Sequence, residues 1–493
     1  MPADVCLVVE GAYPYITGGV ASWTHQLVLG LPEVSFALCV ILPDEGFAAE
    51  DRYPVPNNVV ARSHVTLFDA HRTQRHAEAP ASVMRAVEAF HETPSGGRCP
   101  VFGPLLDAVA KGRQTAFALE TARSSWDLIT KLYQARGREV SFLDYFWTWR
   151  ATHGPMFRLL DAALPDARVY HPLSTGYAGA LAAIAKRRLG ANVLLTEHGI
   201  YTRERVIEIA QAEWIFQEPV EGSAYAPQDE FFKTWWRSQY DFLGRLAYDA
   251  ADKVVTLNDV NRRFQIDAGA PESKIVHVPN GVDLAPFAAV RGPRDWSDRP
   301  FRVGLVGRAV PIKDVKTFIR AVQIARAQVP IEAYVVGPTD EDPAYYAECL
   351  ELVTLLDLDG WVTFTGRQDV STWFGRLDLN VLTSVSESQP LVLLEGWAAG
   401  VPAVATDVGA CREMVEGRAG EDAMLGASGL VTPVATPEST AAAIVKLARD
   451  PERHAAMARA GYERVSRYYR QEQVFEAYRG LYRDLAVPAG RMR

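Results

Sequence analysis

The sequence predicts an α/β protein with two facing Rossmann-like domains and an active-site cleft between them. Its 493 residues are too many for one ordinary hydrophobic core, and 48% hydrophobic with 23% charged residues is typical of a well-packed globular chain. Short apolar runs alternate with stretches of helical period, which is the pattern of βαβ units. Around residues 280–300 both periods stop among glycines, prolines and charges, which indicates a domain linker.

The second half of the chain shows the alternation most clearly. Six apolar runs, each expected to form a strand, lie at 302–306, 331–336, 361–364, 378–382, 402–406 and 429–432. Between the first two runs, Asp314 is placed to cap a helix. The apolar face of that helix repeats at helical spacing and consists of Val315, Phe318, Ile319 and Val322. Such a face belongs to the core and not to a ligand site.

The first half repeats this scheme less regularly. Strands are expected near 4–9, 35–42, 192–196, 253–257 and 274–278. The segments 70–165 and 200–248 look helical and are interpreted as insertions. We therefore predict a first domain at 1–285, a second at 300–468, and a C-terminal helix within 469–493. This helix could pack on either half, and packing back on the first domain is the favoured arrangement.

Charge and cysteine content exclude several classes of function. A formal net charge of −9 removes the general attraction to phosphate backbones, so nucleic acids are not expected partners. Five cysteines without CxxC spacing fit neither a disulfide framework nor a zinc site, and indicate reduced thiols. The first residues lack the pattern of a signal peptide, and no apolar run approaches the roughly 20 residues that span a bilayer. A cytoplasmic protein is expected.

Two cations follow the first strand of the second half. That strand ends in a glycine turn at Gly307, which brings Arg308 and Lys313 to the carboxyl edge of the sheet, where ligands bind in open α/β folds. A charged hydrogen bond contributes on the order of 1.5–3 kcal/mol, so the two cations suit the negative charge of a diphosphate leaving group. The alternative is a pair of solvated surface cations.

A segment at 384–400 places two carboxylates around the start of a helix. Pro390 is favourable in a first helical turn, so Glu387 is expected just before the helix and Glu395 inside it. The free backbone amides near Leu391 and Val392 would attract a phosphate. Carboxylates beside a phosphate suit the acceptance of hydrogen bonds from sugar and ribose hydroxyls. The alternative is that one carboxylate complements the helix dipole and the other faces solvent.

The first half carries a glycine loop and a lone histidine. Gly18 and Gly19 stand between the first strand and an amphipathic helix, where paired glycines allow a ligand to approach the backbone. Their spacing is not the GxGxxG of a dinucleotide site. His198 follows the strand at 192–196 and could hydrogen-bond a substrate hydroxyl, with a purely structural histidine as the alternative.

Two other patterns do not indicate sites. Asp357-Leu-Asp359 copies the DxD of metal-using transferases, but it lies in the turn before a strand without other oxygen ligands nearby in sequence. Ser384 and Ser386 lack the GxSxG context of a hydrolase nucleophile. The sequence therefore predicts no metal site and no serine nucleophile.

In combination, these motifs resemble the retaining GT-B glycosyltransferases of family 4 over nearly the whole chain. The motifs are Gly18-Gly19, Arg308 with Lys313, and Glu387-x7-Glu395. Secondary similarities lie at 171–176, 280–283 and 400–409. Within the family, the opening EGAYPYITGGVASW and the block TEHGIYTRER resemble most closely the cytosolic transferase of the bacterial Pel exopolysaccharide system.

The resemblance implies roles for the second half. The second domain would bind a nucleotide sugar, UDP-glucose first and an N-acetylhexosamine nucleotide second. Arg308 and Lys313 would hold the diphosphate, Glu395 the ribose hydroxyls and Glu387 the hexose. The sugar would be transferred with retention of configuration by front-face attack, with no metal or other cofactor.

The resemblance also implies roles for the first half. The first domain would bind a growing polysaccharide acceptor. Gly18 and Gly19 would approach the phosphate and the acceptor, and His198 would contact the hexose. The Pel-type similarity further implies docking onto a membrane-embedded synthesis and export complex through protein partners.

Two rival functions use the same fold. A nucleotide-sugar epimerase would bind the same donor, although the Glu-x7-Glu pair argues against it. A noncatalytic scaffold of a secretion complex would keep the fold without the chemistry, although the charged positions at both sheet edges argue against that reading. A nicotinamide-dependent enzyme is disfavoured because neither half has the glycine fingerprint followed by an acid.

Overall fold

The computed structural model describes residues 2–11, 13–44, 46–47, 49–68, 79–92, 102–112, 116–137, 140–211, 227–418 and 423–486. The chain forms two compact units. The first comprises Met1–Thr256, Arg262–His277 and Tyr478–Arg493, and the second comprises Leu257–Asn261 and Val278–Ala477. The stretch at 280–300, interpreted from the sequence as a linker, therefore lies in the second unit.

The first unit is built on a seven-stranded parallel sheet. Its strands are, in chain order, β1 (Ala3–Glu10), β2 (Phe36–Asp44), β3 (Val59–Phe68), β4 (Ala167–Pro172), β5 (Asn192–Thr196), β6 (Lys253–Thr256) and β7 (Ile275–His277). Their order across the sheet is β3-β2-β1-β4-β5-β6-β7, so the strand order switches direction between β1 and β4. Ligands of open α/β sheets bind beyond the carboxyl ends of the strands at such a switch. The loops after β1 and β4 occupy that position.

Two strands of this sheet, β3 and β4, are not predicted from the sequence. In β3 only Val65 is buried, because the strand lies at the edge of the sheet and exposes most of its side chains. Strand β4 carries Arg168 and His171 among few apolar residues, although His171 is fully buried. Apolar patterning alone cannot find a strand whose buried positions include a histidine.

The helices before the second sheet are α1 (Gly19–Gly30), α2 (Ala81–Glu92), α3 (Phe102–Gly112), α4 (Ala116–Thr121), α5 (Arg123–Leu132), α6 (Phe142–Asp161), α7 (Tyr177–Leu189), α8 (Tyr201–Gln211), α9 (Pro227–Ala250) and α10 (Asp259–Asp267). The expected helical character of 70–165 and 200–248 is confirmed where these segments are described. The positions 70–78, 93–101, 113–115, 138–139 and 212–226 lie outside the described residues.

These helical segments do not form a separate appendage. Val83 of α2, Leu105 of α3 and Trp149 of α6 are buried in the same hydrophobic cluster as Cys6 and Val8 of β1. The segments therefore help to build the core of the first unit.

The second unit contains a six-stranded parallel sheet. Its strands are β8 (Phe301–Val306), β9 (Ile331–Val336), β10 (Val362–Gly366), β11 (Leu379–Leu382), β12 (Ala403–Thr406) and β13 (Gly429–Thr432). All six coincide with the predicted apolar runs to within two residues. The order β10-β9-β8-β11-β12-β13 repeats the arrangement of the first sheet, with its switch between β8 and β11.

The helices of the second half are α11 (Val315–Arg326), α12 (Pro343–Leu355), α13 (Val370–Phe374), α14 (Leu391–Ala398), α15 (Cys411–Glu416), α16 (Pro437–Arg449), α17 (Pro451–Tyr468) and α18 (Gln471–Ala486). The predicted cap of α11 is confirmed, because Asp314 Oδ1 accepts a hydrogen bond from the Thr317 amide at 3.2 Å. Its apolar face is fully buried, as predicted.

Helix α18 ends against the strands of the first unit. Tyr482 Oη lies 2.7 Å from His171 Nδ1, and Tyr478 Oη lies 2.9 Å from Thr196 Oγ1. Both tyrosines are buried. Residues 487–493 lie outside the described residues.

Every helix in the described part of the chain is too short or too polar to cross a lipid bilayer.

Candidate functional site

The loop after β8 brings the predicted cations to the strand-order switch of the second unit. Gly307 has a φ of 158°, and its carbonyl oxygen lies so close to Gly337 that a Cβ there would approach it to 2.1 Å. The loops after β8 and β9 thus meet backbone to backbone. Arg308 is half-exposed and donates from Nη1 to Glu341 Oε2 at 2.7 Å, so this cation is already paired.

Lys313 reaches the neighbouring loop. It closes a 3-10 turn, Pro311–Lys313, and its Nζ lies 2.5 Å from Glu387 Oε1. The two side chains are only 18% and 12% exposed, so this ion pair is far better shielded from water than the pair of Arg308. The structure thus brings Lys313 and Glu387 together.

The loop that carries Glu387 connects β11 to α14, and we call residues 384–390 the donor loop. Ser384 Oγ donates to Glu387 Oε1 at 2.7 Å. Thr383 Oγ1 donates to the carbonyl oxygens of Lys313 and Asp314, at 3.0 and 2.9 Å. Thr406 Oγ1 donates to the Ser384 carbonyl at 2.6 Å. The loops after β8, β11 and β12 therefore form one bonded structure around the carboxylate.

A glycine permits the close approach of the loop after β12. Gly409 has a φ of 51°, and a Cβ there would lie 1.9 Å from the Glu387 carbonyl oxygen. Any side chain at Gly409 would push the donor loop away.

Helix α14 begins at the end of the donor loop. Pro390 occupies its N-cap position, and no side chain caps the helix. Among the described residues, no acceptor faces the amides of Leu391 and Val392, the first two of the helix. These amides carry the positive end of the helix dipole, so they can bind an anion.

Glu395 lies one turn inside α14, as predicted from the spacing. Burial raises the pKa of its carboxyl to about 7. The described residues offer its side chain neither a hydrogen-bond donor nor a cation. A partly buried carboxylate without a partner in the described structure is a candidate for binding hydroxyl groups of a ligand.

In the first unit, the glycine loop leads into α1. Gly18 is the N-cap of α1, and no side chain caps this helix. A Cβ at Gly18 or Gly19 would meet no described atom within 4 Å. Packing within the described chain therefore does not require glycine at either position.

His198 packs against the first turns of α1. Its ring centroid lies 4.4 Å from that of Trp23, in an edge-to-face arrangement. Its Nε2 is buried and finds no hydrogen-bond partner in the described structure. Burial lowers the pKa of the imidazole to about 4, so His198 is neutral at physiological pH.

Two carboxylates at the same sheet edge, one partly buried and one buried, are not among the predicted site residues. Glu10 Oε1 accepts from Ser174 Oγ at 2.6 Å and from the Ala178 amide at 2.8 Å, and burial raises its pKa. Glu197 accepts a hydrogen bond from Tyr248 Oη at 2.6 Å, and burial raises its pKa as well. Their positions in the sequence could have identified these two residues, because Glu10 ends β1 and Glu197 directly follows β5.

The residues of the two discarded motifs have local roles in the structure. Asp357 has a φ of 53° in the turn after α12, and Asp359 accepts a hydrogen bond from Thr354 in the last turn of α12. Ser384 donates a hydrogen bond to the Glu387 carboxylate. Within the described ranges, no group of three or more His, Cys, Asp or Glu side chains is placed to hold a metal ion.

Comparison with solved structures identifies the fold. The chain is similar to HepE of Anabaena in complex with UDP, with a TM-score of 0.60 and 15% identity over 97% of this chain and 99% of that one. It is also similar to sucrose-phosphate synthase from Thermosynechococcus elongatus, with a TM-score of 0.58 and 17% identity over 97% and 98% of the two chains. The two Rossmann-like domains thus have the GT-B fold.

Sequence comparisons give relatives that match about half of the chain. A D-inositol 3-phosphate glycosyltransferase of Kineococcus radiotolerans is 33% identical over 266 residues, which are 49% of this chain and 60% of that protein. The chain spans between about half and three fifths of the length of the first curated relatives it matches.

Family models cover most of the sequence. Residues 300–450, which contain the donor loop, match the model described as Glycosyl transferases group 1. Residues 3–273 match a second model. Because this second match covers more than half of the chain, the protein belongs to the family described as Domain of unknown function (DUF3492), with a group 1 glycosyltransferase region in its second half.

Proposed function

We propose that this chain is a retaining, metal-independent glycosyltransferase. It moves a hexose from a UDP-hexose, UDP-glucose first, to a growing polysaccharide in Pel-type exopolysaccharide synthesis. One observation carries the proposal: Lys313, Glu387 and two free helix amides converge on the loops at the switch point of the second sheet. The group 1 glycosyltransferase match over the same residues supports it.

The donor roles follow from the chemistry of these groups. Lys313 and Arg308 neutralise the diphosphate, and the amides of Leu391 and Val392 add the positive end of a helix dipole. Glu387 uses Oε1 for Lys313 and Ser384, which leaves Oε2 to accept a hydrogen bond from a hexose hydroxyl.

The ribose and first-domain roles complete the proposal. Glu395, partly buried and unpartnered in the described structure, accepts hydrogen bonds from the ribose hydroxyls. Gly18 and Gly19 leave open space beside α1, which suits phosphate or acceptor approach. His198 offers a buried Nε2 without a partner in the described structure, which suits a sugar hydroxyl.

The proposed transfer needs no nucleophilic side chain. The bond between the hexose C1 and the β-phosphate oxygen breaks, and a bond from C1 to the acceptor oxygen forms on the same face. The acceptor proton passes to the departing phosphate, and UDP leaves. Positive groups at the phosphate stabilise the charge that develops there, so they lower the barrier to bond breaking.

The setting of the reaction is also part of the proposal. The acceptor is a polysaccharide chain, and the protein acts in the cytosol beside a membrane-embedded synthesis and export complex. The support is the similarity of the segments at 10–23 and 196–205 to the Pel-type transferase. Four buried, unpaired cysteines, Cys6, Cys39, Cys349 and Cys411, are compatible with a reducing compartment.

The most direct test is thermal-shift screening of the full chain against UDP, ADP, GDP and their glucose conjugates. Ligand binding to the folded state raises the melting temperature by mass action. UDP comes first because the structurally similar HepE was solved with UDP. We expect a rise with UDP and a larger rise with the matching UDP-sugar. A response to no nucleotide would favour the scaffold, and a changed nucleotide sugar without UDP release would favour the epimerase.

A further inference from the structure

Two residues of the donor loop have no role in the proposed donor contacts, yet both are firmly bonded. Ser388 and Gln389 follow Glu387 directly and precede the first turn of α14. Gln389 is 6% exposed, and Ser388 is half-buried. A buried amide side chain is costly unless its polar atoms are satisfied, so its partners indicate what it does.

Ser388 is held by two asparagines from the start of α10. Asn261 Nδ2 donates to Ser388 Oγ at 2.8 Å, and Asn258 Nδ2 donates to the Ser388 carbonyl at 3.3 Å. Asn258 Oδ1 accepts from the Asn261 amide at 2.7 Å, which fixes the two asparagines relative to each other. The Ala410 amide also donates to the Ser388 carbonyl, at 2.9 Å.

Gln389 is held by a third asparagine. Its Oε1 accepts from the Asn280 amide at 2.6 Å, and its carbonyl accepts from Asn280 Nδ2 at 3.4 Å. Asn280 is 6% exposed. Asn280 therefore donates two hydrogen bonds to Gln389 in a buried environment.

The three asparagines lie where the chain passes into the second unit. Asn258 and Asn261 belong to the stretch 257–261, and Asn280 to the stretch that begins at Val278. Both stretches belong to the second unit, so the hydrogen bonds of the three asparagines to the donor loop lie within one body. The position of the donor loop thus depends on the conformation of the stretch 257–261 and of the stretch that begins at Val278, as well as on its own sheet.

Removal of these bonds would affect the two ends of the donor differently. The Lys313 carbonyl accepts a hydrogen bond from Thr383 Oγ1 at the end of β11, and α14 is anchored in the core by Leu393 and Trp397, both fully buried. The phosphate-binding cation and amides therefore keep their positions when the asparagine bonds are lost. The described structure gives the Glu387 backbone no hydrogen bond, so its position depends on the neighbouring Ser388 and on the contacts of its carboxylate with Lys313 and Ser384.

We propose that Asn258, Asn261, Asn280 and Gln389 are positioning residues that aim Glu387 at the hexose of the donor. They determine recognition of the sugar and not of the nucleotide. This role rests on the proposed function, because it requires Glu387 to contact the hexose.

The test compares the binding of UDP and of UDP-glucose by calorimetry in full-length variants. Asn261→Ala and Ser388→Ala remove the same hydrogen bond from opposite sides. We expect each to weaken UDP-glucose binding by about tenfold while UDP binding stays within twofold of the wild type. The double variant should lose no more than either single variant, since both delete one interaction.

Two controls keep the test sharp. Ser388→Thr retains the hydroxyl and should restore UDP-glucose binding, which a general loss of stability would not allow. Arg263→Ala changes an exposed side chain on α10, outside the described bonds to the loop, and should have no effect. Ser388 is only half-buried, so Ser388→Ala remains a folded variant if Asn261→Ala does not.

The outcomes distinguish a failure of the positioning role from a failure of the proposed function. Equal losses of UDP and UDP-glucose binding, or wild-type binding of UDP-glucose by both variants, would overturn the positioning role. Failure of the wild type to bind any nucleotide would instead contradict the proposed function.

Discussion

Lys313 and Glu387 lie 74 positions apart in sequence, and their side chains form one partly buried ion pair, with Nζ 2.5 Å from Oε1. The sequence assigned them to different ends of a donor, the cation to the diphosphate and the carboxylate to the hexose. Their contact means that the charge facing a ligand is set by both groups together. A sugar diphosphate would then bind beside a pre-oriented pair whose reorganisation cost is small.

We expect Lys313→Ala and Glu387→Ala each to lower kcat/KM for transfer by more than about tenfold. The physical reason is the loss of over about 1.4 kcal/mol of transition-state stabilisation at the phosphate or the hexose. Steady-state kinetics with a saturating acceptor measures the loss. Lys316→Ala is the matched control, because Lys316 pairs with Glu348 on the surface of the neighbouring helix. Near-normal transfer by both site variants would contradict the assignment.

Substitutions at Arg308 and at its partner Glu341 provide a second test of diphosphate binding. Arg308→Ala should also lower kcat/KM by more than about tenfold. Glu341→Gln should act in the opposite direction, because it releases Arg308 from a half-exposed ion pair 2.7 Å long. Such pairs are worth at most about 1 kcal/mol, so UDP affinity should rise by up to about fivefold. Calorimetry with UDP checks this, with Asp340→Asn as the control. A fall in UDP affinity in Glu341→Gln would count against Arg308 as a phosphate ligand.

The second unit could be predicted from the sequence because its strands are central and apolar. Strands β8 and β11 are buried on both faces, so their loops can be placed at one sheet edge without knowing the structure. That placement is why Arg308, Lys313 and Glu387 could be predicted as site residues. The contact between Lys313 and Glu387 was not predictable, because it depends on side-chain conformations and on the close approach that Gly409 permits.

The first unit was harder to predict for the opposite reason. Strand β3 buries one residue, and β4 buries His171 through hydrogen bonds to Thr196 and Tyr482. Hydrogen-bonded polar side chains in a core leave no mark in an apolar pattern. The bonds of Ser388 to α10 were missed for a similar reason, since local periodicity does not report contacts between residues 127 or 130 positions apart.

The hydrogen bond between Tyr482 and His171 provides a stability test. Tyr482→Phe leaves the buried His171 Nδ1 without its partner, which costs roughly 1–3 kcal/mol. We expect a lower melting temperature in thermal unfolding, with UDP binding retained. Tyr462→Phe serves as the control, because the described structure gives the Tyr462 hydroxyl no hydrogen bond. Equal melting temperatures for Tyr482→Phe and the wild type would mean that this hydrogen bond does not stabilise the end of α18.

The raised pKa of the Glu395 carboxyl should make the stability of the protein depend on pH. Its folded-state pKa of about 7 lies above the ordinary value of 4.5, so the folded chain binds this proton more tightly than the unfolded chain. Its contribution is therefore fully present below about pH 4.5 and is lost as the pH rises through about 7. The loss amounts to up to about 3 kcal/mol. Glu395→Gln should remove this pH dependence in urea unfolding, and a profile parallel to the wild type would show that the carboxyl does not titrate in this range.

Donor binding should show the opposite trend, because ribose hydroxyls donate to the ionised form of Glu395. A bound donor favours ionisation and releases a proton, so affinity should rise as the pH increases from 6 to about 7.5 and then level off. UDP-glucose is the suitable probe, since both of its phosphates are diesters, whereas the terminal phosphate of UDP titrates near pH 6 itself. Calorimetry in two buffers of different ionisation enthalpy would count the released proton. In Glu395→Gln the affinity should be lower at pH 8 and independent of pH. A wild-type affinity that does not change across this range would remove Glu395 from the ribose site.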